Sequence, residues 1–279
     1  MKIKLKTLAL TALLLPVIAS AEMSQEEIAK ASQNPLTAMY SLPIQNNSYF
    51  GIEVGGEKRM KNVANFQPVL PFDLNDDWTV VTRTVMPITS APTMSGEGGG
   101  YERVFGLGDT TFTAFLTPKN TGDSGWIWGV GPSFYLPTAT DGGSELGTEK
   151  WGAGLSGVAL KMDGKWVYGA LIAQMWSFAG PGQDAGEKIV NGMTIQPFIN
   201  YNLDDGWFVA SVPIITANWE AIDNDHTWTV PMGLGIGKAM KLGKIPMTAQ
   251  LHGYYNVVTP DDYGEQWQMR IQLQLLFPR

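Results

Sequence analysis

The sequence predicts an all-β protein: a transmembrane, antiparallel, up-and-down β-barrel of about twelve strands with a short N-terminal helix. Three observations carry that prediction. The C-terminal residues alternate strictly between apolar and polar side chains, short polar turns alternate with longer Gly-rich links, and tryptophans collect at the ends of the strands between them.

The chain ends in EQWQMRIQLQLLFPR. Trp267, Met269, Ile271, Leu273, Leu275 and Phe277 form one set; Gln268, Arg270, Gln272 and Gln274 form the other. Successive side chains of a strand point to opposite faces, so this strand is oily on one side and polar on the other. In a membrane barrel the first set meets lipid and the second lines the lumen. An open sheet edge in hydrocarbon leaves backbone groups unpaired, at several kcal/mol each, so the last strand is expected to pair with the first.

The bulk numbers agree. A chain of 279 residues can form one large all-β domain or two ordinary ones. Lys2, Lys4 and Lys6, the apolar residues 8–19 and the small-x-small Ala19-Ser20-Ala21 have the form of a signal peptide, read as residues 1–21. Residues 22–40 then form a helical segment, hanging in the periplasm or plugging the lumen, and residues 41–279 form the barrel. No other apolar run approaches the ~18 residues of a membrane-spanning helix, so the mature chain either lies outside the cytoplasm or crosses a membrane as strands. The formal net charge of −7, more negative once the signal lysines are removed, argues against nucleic acid. The chain has no cysteine, which excludes disulfides and thiolate metal sites. Only 16% of residues are charged, against about 25% in soluble domains, which suits a protein whose outside is lipid.

Short turns are expected at Asn75-Asp76-Asp77, Thr121-Gly122-Asp123, Asp163-Gly164-Lys165, Asp204-Asp205-Gly206 and Lys241-Leu242-Gly243. Longer links span residues 89–106, 139–150, 179–190, 220–226 and 260–264. Strands of roughly ten residues, enough to cross a bilayer at a tilt, fill the gaps. An even strand count puts both termini in the periplasm, with the short turns there and the long loops outside. One hairpin occurs twice: FQPVLPFDLNDDWTVV from Phe66 aligns without gaps on IQPFINYNLDDGWFVA from Ile195.

Trp78, Trp126, Trp166 and Trp207 each follow a short turn, while Trp151, Trp228 and Trp267 each open a strand after a long link. Indole has an apolar ring and one N–H, so it settles at the bilayer–water boundary. Trp78, Trp126, Trp207, Trp228 and Trp267 are expected there. A soluble β-protein of the periplasm, the alternative, would have no reason to place tryptophans at strand ends on both sides.

SQEEIAKASQNP breaks the strand rhythm. Ser24 with Glu27 three residues on is a capping box, and Asn34-Pro35 is a stop, so a short helix precedes the first strand.

Alternation along the other strands gives the expected pore-lining residues: Gln67, Arg83, Asp109, Gln196, Asn200, Gln250, His252, Arg270, Gln272 and Gln274. An arginine facing lipid at mid-bilayer costs about 2–4 kcal/mol, so Arg83 and Arg270 point inward. Arg83, Asp109 and Arg270 either form one lumen charge network or simply neutralise one another and brace a narrow interior. The strand from Trp166 stays ambiguous, because turning Gln174 inward turns Trp166 and Tyr168 inward too unless a bulge intervenes.

Signals for chemistry are weak, and no catalytic residue, metal site or cofactor is expected. His226 lies in an acidic loop, and one histidine among acids is no metal constellation. Outer-membrane phospholipases of twelve strands use a Ser–His pair close together on one strand; here neither His226 nor His252 is followed by such a serine. Gly152 to Gly157 matches G-x-G-x-x-G but opens a strand, without the β-α context of a dinucleotide site. Small residues there are expected to make room for neighbouring side chains.

NPLTAMYSLPIQNN, GLGDTTFTAF, QPFINYNLDDGWFVASVPIITANW and the ending QLQLLFPR resemble a bacterial family named for the meta-pathway of phenol degradation and labelled "transporter", some of whose members carry the label "neuromedin U". The resemblance covers essentially the whole mature chain. It implies an outer-membrane β-barrel, grouped with channels by architecture, with no binding or catalytic residue to carry over. Phe277-Pro-Arg departs from the usual terminal aromatic of such barrels. The expectation is passive passage of small molecules across the outer membrane of a Gram-negative cell; aromatic or weakly polar compounds are suggested by the family name alone. The expected partners are outer-membrane lipids, the barrel assembly machinery during insertion and a small-molecule solute. The alternatives are a non-transporting structural or loop-binding barrel and, behind it, an outer-membrane lipid enzyme.

Overall fold

The computed structural model describes residues 23–94, 101–140, 146–182, 189–221, 224–260 and 264–279; the expected signal peptide lies outside these. Helix α1 (Gln25–Gln33) precedes β1 (Tyr40–Val54), β2 (Glu57–Phe66), β3 (Val69–Asp73), β4 (Trp78–Met94), β5 (Tyr101–Leu107), β6 (Thr110–Pro118), β7 (Trp126–Leu136) and β8 (Trp151–Asp163). Then follow β9 (Trp166–Ala179), β10 (Asn191–Asn202), β11 (Trp207–Ser211), β12 (Ile215–Asn218), β13 (Trp228–Leu242), β14 (Ile245–Val258) and β15 (Trp267–Phe277). Three staves are broken in two: β2/β3 at Gln67-Pro68, β5/β6 at Gly108-Asp109 and β11/β12 at residues 212–214. Counted whole, the staves make a closed antiparallel barrel of 12 strands. Closure comes from β15 on β1, in register from Tyr40 opposite Phe277 to Phe50 opposite Trp267. With β9 also paired to β10, the ring of staves is continuous, and β5 extends it at the long-loop end by pairing with β4.

Burial runs inside out. On β15, Ile271 and Leu273 are 47% and 43% exposed while Arg270 is 3% exposed. The same holds around the wall, where Ile44, Phe72, Val130, Leu155, Ile172, Ile199, Leu234 and Leu251 are exposed. Gln45, Asn47, Ser133, Ser156, Asn200, Thr248 and Asn256 are buried. An apolar surface of this extent is incompatible with water and calls for a bilayer around it.

Strand β9 settles its ambiguity without a bulge. Val167 and Leu171 point inward and are buried, while Trp166, Ile172 and Trp176 are exposed, so Gln174 belongs to the outer face. There its side-chain oxygen accepts from the Trp219 indole at 2.9 Å and its amide donates to Asn191 Oδ1 at 3.1 Å, which makes the outward glutamine tolerable near the barrel rim. Residues 89–106, expected as a long link, are mostly a hairpin: β4 and β5 pair from Ile88 opposite Leu107 to Met94 opposite Tyr101. The ladder continues there because the Gly-rich composition is confined to residues 95–100, outside the described residues.

Aromatic contacts cluster at both ends of the wall. Toward the short turns, Trp78 meets Trp128 edge-on, Trp126 meets Tyr168, and Trp166 lies 4.7 Å from Tyr201, centroid to centroid. Toward the long loops, Trp219 meets Trp228 and Tyr255 meets Trp267. Trp207 carries Lys238 Nζ over its ring at 4.8 Å. At Gly154, within the glycine-rich start of β8, an added Cβ would collide with the Gln174 carbonyl, so the close neighbour is the backbone of β9 and not the side chains expected from sequence.

Candidate functional site in the lumen

The inside of the barrel is where polar groups, cations and the N-terminal segment converge. Helix α1 forms where expected: the Ser24 hydroxyl accepts from the Glu27 N–H at 3.2 Å and the Glu27 carboxylate accepts from the Ser24 N–H at 2.8 Å. The Ser24 hydroxyl also donates to this carboxylate at 2.9 Å. The two bonds the carboxylate accepts from Ser24, the backbone N–H foremost and then the hydroxyl, hold the Glu27 carboxyl below its ordinary range. The helix buries Ile28 and Ala29 against Phe208, Ala210, Ala239 and Leu276 on the inner wall at the short-turn end. Leu276 breaks the polar rhythm of the inner face of β15 because this helix covers it. Gln33 and Asn202 exchange two amide bonds, at 2.9 and 3.1 Å. Past Asn34 the chain crosses the lumen, and Leu36 enters a socket of Val69, Val81, Phe115, Val158 and Leu171 on the opposite wall. The sequence left the placement of this segment open; packing puts it inside as a plug.

Above the plug lies a cavity of about 130 Å³. Its lining brings together nine of the ten residues expected to line the pore: Gln67, Arg83, Gln196, Asn200, Gln250, His252, Arg270, Gln272 and Gln274, with Ser32 to Pro35 of the plug facing them. Arg83 Nη2 donates to Gln67 Oε1 at 2.7 Å. Arg270 donates through Nε to Asn47 Oδ1 at 3.0 Å and through Nη1 to the Val212 carbonyl at 2.8 Å, with its guanidinium 5.1 Å from the Tyr254 ring. His252 bonds Gln250 through Nε2 and the Tyr254 hydroxyl through Nδ1.

Asp109 is a correction. It joins neither arginine but sits at the long-loop end, where Tyr135 Oη donates to it at 2.8 Å and the N–H groups of Ala139 and Thr148 donate at 3.1 and 2.7 Å. It is buried on the same face as Thr111 and Thr113, but at that height it pins a loop instead of lining the cavity. Among the described residues no carboxylate lies within ion-pair distance of Arg83 or Arg270, so the three-member charge network expected from sequence is not formed.

Sequence reasoning missed Asn47, Tyr254 and the backbone of Val212. Asn47 and Tyr254 have the right parity: Asn47 shares a face with Gln45, and Tyr254 with His252 and Asn256. Tyr254 is aromatic, and its hydroxyl gives it a place among polar groups. Val212 had no signal, because its role depends on the backbone leaving the ladder ahead of Pro213. His226 lies in a 3-10 turn (Asn224–His226) at the long-loop end, away from this cavity. Outside the wall, Lys165 Nζ meets Asp204 at 2.8 Å between two short turns; the pairing raises the lysine and holds the carboxyl below its usual range.

Closure, an apolar outer belt, aromatic ends and a polar interior together define the class: an outer-membrane-type β-barrel with an internal plug. No family model matches the sequence, and no curated protein matches it. Among solved structures, an outer membrane channel from Pseudomonas putida F1 is 19% identical, covers 87% of this chain and 97% of its own, and superposes with a TM-score of 0.64. Outer membrane phospholipase A from Escherichia coli is 13% identical over 91% of this chain and 98% of its own, with a TM-score of 0.45. A Pseudomonas aeruginosa FadL homologue is 10% identical over 92% and 95%, with a TM-score of 0.43. At these identities the first similarity concerns the fold alone, and the other two carry no further argument.

Proposed function

We propose that this chain is a passive channel or transporter for small molecules across the outer membrane, of the phenol-degradation family that its motifs resemble. The observation that carries the reading is the cavity above the plug, walled by amides and two arginines and floored by residues 32–35. A barrel with a purely structural role could fill this space with apolar side chains. Val69, Leu171, Phe198 and Val212 in the same lining suit a solute that is aromatic or weakly polar. The two bonds of His252 go to Gln250 and Tyr254, so this imidazole lends no support to a lipid enzyme.

The test is single-channel conductance in planar bilayers with solute uptake into liposomes, comparing the mature protein with a variant lacking residues 23–36. The intact protein should conduct weakly and the truncated one several-fold more. One observation favours the second reading, a non-transporting barrel: the plug is held by two apolar clusters on opposite walls, as a permanent seal would be. Silence from both proteins, with no uptake, would decide for that seal.

A further inference from the structure

We infer that the lumen holds a binding site for a small carboxylate with an apolar body, its anionic head on Arg83 and Arg270. The inference rests on reading the lumen as a solute route and adds to it the chemical class of the solute.

Charge comes first. Both guanidinium groups line one cavity, and Arg270 is almost wholly withdrawn from solvent. Buried cations are normally matched by anions, because desolvating an unpaired charge costs several kcal/mol. Here the direct partners of both arginines are neutral: the side-chain oxygens of Gln67 and Asn47 and the carbonyl of Val212. Among the described residues the wall supplies no carboxylate to either.

Hydrogen-bonding capacity points the same way. A guanidinium has five N–H donors in a planar fork that matches a carboxylate. Arg83 commits one nitrogen to protein, leaving the other side of its fork for the cavity. Arg270 is braced on Asn47, Val212 and the Tyr254 ring, and so serves as a fixed second charge rather than a mobile one.

Size and polarity select the rest of the ligand. The cavity volume, about 130 Å³, is close to the ~150 Å³ of an engineered protein cavity that accepts benzene. Leu171 and Phe198 line the same space and offer an apolar wall to a ring or short chain. Benzoate matches this combination of head and body; benzamide, of nearly the same shape without the charge, does not.

The experiment is calorimetric titration of the full mature protein in non-ionic detergent with sodium benzoate and with benzamide, alongside the anion-to-cation permeability ratio in planar bilayers under a salt gradient. Benzoate should bind at least about tenfold more tightly than benzamide, and Arg83→Gln should remove that preference. Arg83→Lys should keep the anion preference of the current while weakening benzoate, because an ammonium retains the charge without the fork. Gel migration of unheated samples reports whether each variant is still a barrel, and Arg83→Lys carries the test if the glutamine variant is not. Equal binding of the two ligands, or benzoate binding indifferent to both substitutions, overturns the inference. Benzoate binding in a barrel that passes no current would keep this site and remove the channel; anion-indifferent current without benzoate binding would do the reverse.

Discussion

The two copies of the repeated hairpin, residues 66–81 and 195–210, share a sequence pattern and part company in structure. In the first copy the descending stave breaks at Gln67-Pro68; in the second, the equivalent Gln196-Pro197 lies inside β10, which pairs with β9 without interruption. The second copy breaks instead just beyond its rising strand, at residues 212–214. The turns differ as well. In the first, the Asn75 side chain accepts from the N–H groups of Asp77 and Trp78 at 2.9 and 2.8 Å. The second is a 3-10 turn with Asp205 and Gly206 both at positive φ, 56° and 73°. Only the second receives helix α1, and Gly206 is a large part of the reason: a Cβ there would come within 2.7 Å of the Gln25 Cβ and 2.9 Å of the Ala239 carbonyl. The first copy has Asp77 at the equivalent position. Asn202, which holds Gln33, corresponds to Asp73, which instead pairs with Lys119 and Arg279 at 3.1 and 2.7 Å. One hairpin carries exposed ion pairs at the short-turn end and its sibling receives the plug, through a few substitutions on a common frame.

Making the receiving turn like its sibling should have the largest effect. Gly206→Asp places a side chain where the backbone of Ala239 leaves no room, and should weaken docking of α1 by about 2 kcal/mol or more. Trypsin cleavage at Lys30 reports the release, and a cleavage rate equal to wild type would mean that the glycine is incidental. A smaller loss, about 1–2 kcal/mol, is expected for Asn202→Ala, which strips both partners from the Gln33 amide. Hydrogen exchange of the α1 amides should quicken accordingly, whereas Asp73→Ala at the matching position should leave them unchanged. If both alanines act alike on α1, the distinction between the copies fails.

Smallest is the helix cap. Ser24→Ala should cost about 1 kcal/mol of helix stability, read from the same amides. Because the Glu27 pKa is depressed, its contribution is complete above the ordinary carboxyl value of 4.5 and fades as the pH falls through the lower value of the folded state. Acidification below that range should therefore loosen the first turn of α1 in the wild type, and do so less in Ser24→Ala, which keeps the backbone N–H bond to Glu27 but loses the hydroxyl one. An α1 whose exchange responds identically to acid in both proteins would show that the Ser24 hydroxyl has no part in the titration.

Much of the lumen was readable residue by residue. Gln250, His252, Arg270 and Gln272 fall inside because strand alternation is a local property that survives any arrangement of the neighbours. At Asp109 the rule gave the face, since the carboxylate is buried on the side of Thr111 and Thr113, but not the height along the barrel, and it was silent about Val212, whose carbonyl matters only because the ladder is interrupted there. In β9, parity alone allowed two solutions, and the inner wall chose the one that buries Val167 and Leu171.

Sequence by itself determined the strand count, the closure of the last strand on the first, the greasy outside and the capped helix, since each follows from periodicity, turn chemistry or the cost of bare backbone in hydrocarbon. Only the tertiary structure decided that the helix lies inside the barrel, which of two similar hairpins receives it, and that Arg83 and Arg270 share a cavity while Asp109 does not. Those outcomes depend on contacts between residues far apart in the chain, where a missing Cβ or a broken ladder changes which partner fits.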